Sequence, residues 1–202
     1  MKTAPFLAAL MLALAATGSA QASEYNRFKA DKSAVWFVFK QMNVPVEGRF
    51  KRIRGRLDFD PARPANGRAE VELDLAGIDA GSAEANDEVA GKLWFNAKAY
   101  PTARFVVATI KPLGNNRYDV SGKMSIKGRT RDVGAAATFR QDGGSAVFEG
   151  GFTLKRADFG IGEGIWADFN TVANDVQIRF RLVAAATGGK VFLTPTHPGV
   201  AP

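Results

Sequence analysis

The chain has 202 residues, which suits one domain with a core of its own. It holds no cysteine, one histidine, and 27 Lys plus Arg against 20 Asp plus Glu, a formal charge of +7. These counts exclude disulfides, thiol nucleophiles and thiolate metal ligands. The lone His197 lies in Thr194-Pro195-Thr196-His197-Pro198-Gly199, where Pro and Gly give an imidazole no fixed frame. A Ser-His-Asp arrangement, a Cys-His pair and a His-based zinc site go with it.

Residues 1–22 read as a cleaved signal peptide. Lys2 is the only early charge, Phe6 to Ala16 is apolar, and Ala20-Gln21-Ala22 is a small-x-small cleavage site. A membrane-spanning helix needs about 20 apolar residues, more than this run supplies. The mature chain is expected to begin near Ser23 and to sit in the periplasm or outside the cell. Without Lys2 the balance is 26 basic to 20 acidic residues. That surplus suits anionic membrane surfaces and phosphates, and equally plain solubility.

From there alternation with period two dominates. Val35, Phe37 and Phe39 share one face. Ile53, Gly55, Leu57 and Phe59 oppose Arg52, Arg54, Arg56, Asp58 and Asp60, and Val44 to Asp60 reads as one long bent strand. Val71, Leu73 and Leu75 oppose Glu70, Glu72 and Asp74. A helix is predicted from Ser82, its N-cap, to Trp94. Beyond Pro101 come Phe105, Val107 and Thr109, then Tyr118, Val120, Gly122, Met124 and Ile126. Val133, Ala135, Ala137 and Phe139 follow, then Phe148, Gly150, Phe152 and Leu154, and last Val176, Ile178, Phe180 and Leu182. Turn signals at 61–67, Asn115-Asn116 and Asp142-Gly143-Gly144 separate about eight strands. The domain is expected over 23–184, and the segment 185–202, where alternation fails, reads as a flexible tail.

Eight two-faced strands make an all-β sandwich or a closed barrel, and closure removes exposed edges. Eight is also the size at which a barrel is filled by side chains or holds one small ligand. Gly55, Gly122, Ala135, Ala137 and Gly150 on the apolar face leave both outcomes open: they widen a lumen, or they relieve crowding at corners. Three Tyr and three Trp are too few for the two aromatic girdles of an outer-membrane barrel, so the apolar face is expected inside.

Three local features invite sharper readings. Gly160-Ile161-Gly162-Glu163-Gly164 lacks the following helix and Lys-Ser/Thr pair of a phosphate loop and reads as a turn. Arg49, Lys51, Arg52, Arg54 and Arg56 are a basic stretch whose last three members face outward, a solvated face by default. Asp158, Glu163 and Asp168 gather acids near one turn, but loop spacing alone defines no acid–base pair.

Several ordered blocks resemble the YceI family of periplasmic, lipocalin-like proteins. They are Val35-x-Phe37-x-Phe39, Gly48-Arg49-Phe50, Gly55-x-Leu57-x-Phe59-Asp60 and Ile78-Asp79-Ala80. Trp94-Phe95-Asn96 through Tyr100-Pro101-Thr102-Ala103-Arg104-Phe105, the strand Tyr118 to Gly128, and Arg156-x-Asp158-Phe159-Gly160-Ile161-Gly162 complete the set. The likeness spans about Tyr25 to Val183. Where many relatives carry histidine, this chain has Lys32, Gln41 and Glu88.

The resemblance implies an antiparallel, eight-stranded lipocalin-like barrel around an elongated isoprenoid, such as a polyprenyl alcohol or phosphate or a quinone tail. By inward parity Phe37, Phe39, Leu57, Phe59, Val71, Leu73, Phe105, Val107, Val120, Met124, Ala135, Ala137, Phe148, Phe152, Ile178 and Phe180 are expected against the ligand or the packed ends. No metal, no catalytic group and no cofactor beyond the bound lipid are expected. The partners implied are the isoprenoid, a transient membrane-surface contact or a membrane quinone or cytochrome partner, and no nucleic acid. The competing reading is an enzyme that works on a small apolar substrate through loop carboxylates such as Asp158 or Glu163.

Overall fold

Alternation along the chain becomes one curled, antiparallel sheet. The structure, a computed structural model, describes residues 24–187; the expected signal segment 1–22 and His197 lie outside the described residues. Eleven strands appear: β1 (Tyr25–Phe28), β2 (Ala34–Gln41), β3 (Val44–Phe50), β4 (Ile53–Asp58), β5 (Arg68–Asp74), β6 (Ile78–Asp79), β7 (Thr102–Gly114), β8 (Arg117–Ile126), β9 (Arg129–Asp142), β10 (Ser145–Lys155) and β11 (Asp175–Ala186). Hydrogen bonding runs in the order β4-β5-β7-β8-β9-β10-β11-β2-β3-β6, with β1 added to β11.

The count exceeds the expected eight for two reasons. β1 and β6 are too short to show a period. The expected single strand from Val44 to Asp60 breaks at Lys51–Arg52, whose backbone turns toward the segment 74–77: Lys51 N–H donates to Gly77 O at 2.9 Å, and Arg52 O accepts from Asp74 N at 3.1 Å. β3 therefore pairs with β2, while β4, two residues on, pairs with β5. The two ends of the sheet are thus carried by neighbouring stretches of chain, which curls it. β1 adds a link, pairing with β11 and exchanging backbone hydrogen bonds between Tyr25 and Phe59. Ala185 and Ala186, placed in the tail by the loss of alternation, still pair in β11 with Arg27 and Tyr25.

Two-residue turns join long hairpins. Met42-Asn43 and Asn115-Asn116 have positive φ at both positions (48° and 66°, 52° and 55°), the handedness that matches strand twist. The helix α1 spans Ala83–Ala90, and Ser82 caps it by accepting from Ala85 N–H at 3.1 Å. It stops short of the expected Trp94 because Gly91 adopts extended backbone (ψ 171°). The segment 91–100 continues as turns, with Ala97 N–H donating to Ala90 O at 2.9 Å.

The inward faces form two apolar clusters. One closes an end of the sheet with Tyr25, Leu57, Phe59, Tyr118 and Phe139, where Phe59 meets Phe148 edge-on at 5.0 Å and Tyr118 at 5.7 Å. The larger one runs from Val35, Phe37 and Phe50 through Met124 to Trp94, Phe159 and Val172.

Candidate functional site: a two-chambered apolar lumen

Inside the curl lie two abutting cavities of about 120 Å³ and about 100 Å³. The first is walled by Leu57, Phe59, Val71, Phe105, Val107, Val120, Ala135, Ala137, Phe148 and Phe180, among others. Phe37 and Phe39 line the second. Leu73, Met124, Phe152 and Ile178 line both. All sixteen residues selected by parity therefore face this space. Asp58, Arg68 and Arg104 border the first cavity from exposed positions on their strands, adjacent to inward residues.

The small residues take both roles left open by the sequence. Ala135 and Ala137 widen the first cavity. Gly122 instead seats a ring from the next strand: a Cβ there would stand 2.8 Å from Phe105 Cζ.

Parity missed the wall of the second cavity. Trp94 and Phe95, in the turns after α1, and Ile161 and Val172, in the loop between β10 and β11, have no period to read. Arg156 is the other omission. It is 2% exposed, and all five of its N–H groups are spent on main-chain carbonyls. Nε donates to Ala173 O (3.1 Å), Nη1 to Ile161 O and Gly162 O (2.8 Å each), and Nη2 to Trp166 O and Val172 O (2.7 Å each). The guanidinium also lies 5.7 Å from the Trp94 ring and 5.2 Å from that of Phe169. Burial pulls its pKa below the usual arginine value. Arg156 acts as a peg that holds the 156–173 loop over the second cavity.

The other charged features are structural. Gly162 and Glu163 donate their N–H groups to Leu93 O at 2.9 and 2.8 Å, so the glycine-rich turn aims neither of them at an anion. Lys127 donates to Gly160 O (2.5 Å) and to Glu163 (3.0 Å), and Arg129 reaches Glu163 at 3.3 Å. The Lys127 hydrogen bond holds the Glu163 carboxyl below the usual range. Asp168 accepts from Asn170 N–H at 2.9 Å, and Asp158 is exposed. None of the three acids lines either cavity. The basic stretch is interleaved with acids: Arg52 meets Asp74 at 2.8 Å, and Arg49 and Lys51 meet Asp79 at 3.5 and 3.3 Å. Arg54 and Arg56 stand opposite Glu72 and Glu70. At the three positions where the family resemblance led to an expectation of histidine, Lys32 O accepts from Arg181 (2.8 Å), Gln41 bridges to Val172, and Glu88 accepts from Trp166 Nε1 (2.7 Å). Among the described residues no group of three or more His, Cys, Asp or Glu is placed to hold a metal.

A single inward-facing sheet around an apolar lumen defines the class, and comparison with known proteins agrees. The YceI-like domain matches residues 27–184, and the chain belongs to that family. A UPF0312 protein of Azotobacter vinelandii is 34% identical over 165 residues, 77% of this chain and 86% of that one. The crystal structure of Burkholderia cenocepacia BcnA superposes with a TM-score of 0.76 at 46% identity, covering 78% of this chain and 99% of the other. A polyisoprenoid-binding domain from Saccharophagus degradans, implicated in plant cell wall breakdown, shares the fold at 19% identity and a TM-score of 0.65, covering 82% and 99%.

Proposed function

We propose that this protein is a periplasmic carrier that holds an elongated isoprenoid, a polyprenyl or quinone-type chain, in its lumen without catalysis. On this reading residues 1–22 are a cleaved signal peptide, 23–184 the binding domain and 185–202 a tail. Counting β3 and β4 as one bent strand and setting aside the short β1 and β6, the ladder reads as an eight-stranded, lipocalin-like barrel. The sixteen inward residues named above are its ligand contacts.

The observation that carries the reading is the lining: two adjoining cavities walled mainly by apolar side chains, with Arg156, the one buried charge among the described residues, already saturated. Such a space recognises hydrocarbon by burial alone, at about 0.8 kcal/mol per CH₂ taken from water. The polyisoprenoid-binding neighbour from Saccharophagus degradans supports the same ligand class. A membrane is the natural source of that ligand. Met42, Val44, Ile165 and Phe169 stand 76%, 62%, 80% and 50% exposed. They are on the β2–β3 turn, the start of β3 and the 156–173 loop, and Met42 N–H donates to Thr171 O at 2.8 Å to join turn and loop. They give the protein an apolar rim for transient contact with a bilayer surface.

Titration of the lipid-stripped protein with a polyprenyl alcohol, followed by tryptophan fluorescence from Trp94 and Trp166, tests the reading. Saturable binding that survives Asp158→Asn together with Glu163→Gln supports a carrier. Binding that vanishes with those two carboxylates favours a carboxylate-based enzyme instead.

A further inference from the structure

The two chambers meet at a ring of five residues that line both: Leu73, Ala103, Met124, Phe152 and Ile178. Each comes from a different strand, β5, β7, β8, β10 and β11 in turn, so the level where the chambers meet is lined from five strands of the sheet. Its two halves differ in stiffness. Leu73 pairs with Ala103 across β5 and β7, and Ala103 is 3% exposed with no side-chain torsion to turn. Ile178 is β-branched and restricted at χ1. Met124 and Phe152 are the movable members. Methionine has three rotatable bonds and a polarizable sulfur that re-packs easily. Phe152 lies near-parallel to Phe105, with centroids 6.4 Å apart and 23° between planes, and Phe105 in turn needs the bare Cα of Gly122 to lie as it does. Phe105 also pairs with Met124 across β7 and β8, which places Phe105 against both movable side chains.

Size makes the ring matter. Chambers of about 120 and 100 Å³ resemble a protein cavity of about 150 Å³ that accepts one benzene ring. A short prenyl chain fits on one side of the ring; a longer one that stays within the sheet has to cross it.

We propose that Met124 and Phe152 form a gate that sorts ligands by chain length. The inference rests on the carrier reading and adds to it the residues that set specificity. Short chains occupy one chamber with the gate at rest. Chains that continue into the second chamber turn both side chains away from their resting rotamers, and that turn offsets part of the gain from the added carbons.

The test is calorimetric titration of the lipid-stripped protein with prenyl alcohols of one to four isoprene units. In the wild type, affinity is expected to rise with length, stall or fall at the step that crosses the ring, and rise again. In Phe152→Ala and in Met124→Ala the stall disappears, and the longest alcohol gains about tenfold relative to the shortest that fits one chamber, the size of an off-rotamer penalty. Phe152→Leu keeps an apolar branch in the ring and gives a smaller shift in the same direction, so a poorly folded alanine variant leaves the outcome decidable. An even rise in the wild type, or a stall unchanged in every variant, overturns the gate while leaving the carrier reading intact. No binding at any length, in wild type and variants alike, overturns the carrier reading and the gate with it.

Discussion

Phe180 lies across Gly150. The two residues are paired between β11 and β10, and a Cβ added at Gly150 would stand 2.9 Å from Phe180 Cζ. Phe180 is also part of the first chamber wall, so the glycine fixes how far the ring reaches into the lumen. Gly150→Ala is expected to cost about 1–3 kcal/mol, the usual range for overpacking. Urea unfolding with an unchanged m value and a lower midpoint checks it; a wild-type midpoint contradicts it.

Arg156 supplies the second prediction. Lysine keeps the charge but offers three donors on a flexible stem in place of five in a fixed fork. Arg156→Lys is expected to leave at least two buried carbonyls without partners and to cost about 3 kcal/mol. Limited proteolysis is the discriminating measurement, because cleavage within the 156–173 loop should accelerate first. Equal cleavage of variant and wild type would show that the five hydrogen bonds do not hold the loop.

Acid should weaken the fold through its ion-paired carboxylates. Hydrogen bonds from Arg52, Arg104, Lys51 and Lys127 hold Asp74, Glu70, Asp79 and Glu163 below their ordinary pKa values. Groups lowered in the folded state contribute stability that is present above their unfolded values, about pH 4, and lost as pH falls through the folded ones. The melting temperature should be level from pH 7 to about pH 5 and should fall below about pH 4. Asp74→Asn should flatten that fall, while a melting temperature that rises on acidification would contradict the assignment.

The lumen was legible in the sequence because a strand's two faces differ every second residue. Phe37, Phe105, Val120 and Phe180 needed only correct parity to be placed inward. The second chamber's end was not legible. Trp94 lies past a helix end that Gly91 brings forward, and Ile161 and Val172 sit in a loop with no period. Arg156 could not be read as a peg, since its acceptors are backbone carbonyls that no residue type announces. The break at Lys51–Arg52 did leave a mark: two charged residues in a row shift the apolar parity from Val46, Gly48 and Phe50 to Ile53, Gly55 and Leu57 where the backbone changes partners, and reading one bent strand passed over that slip.

The exposed rim gives a prediction about transfer. Met42→Asp combined with Ile165→Asp places charges where bilayer contact is proposed, at residues 76% and 80% exposed in the free protein. Stability should stay within about 0.5 kcal/mol of wild type, as for other exposed sites. Uptake of a fluorescent prenyl lipid from phosphatidylcholine vesicles should slow by about tenfold or more, because both aspartates must be desolvated to enter the interface. Unchanged uptake would move the membrane contact elsewhere.

The central claim is that hydrocarbon fills this lumen, and native mass spectrometry tests it most directly. The protein is purified without detergent from a host that exports it, then weighed intact and after organic extraction. The account predicts an added mass that extraction removes and that fragments as an isoprenoid. A single, homogeneous mass equal to the mature polypeptide alone would contradict it.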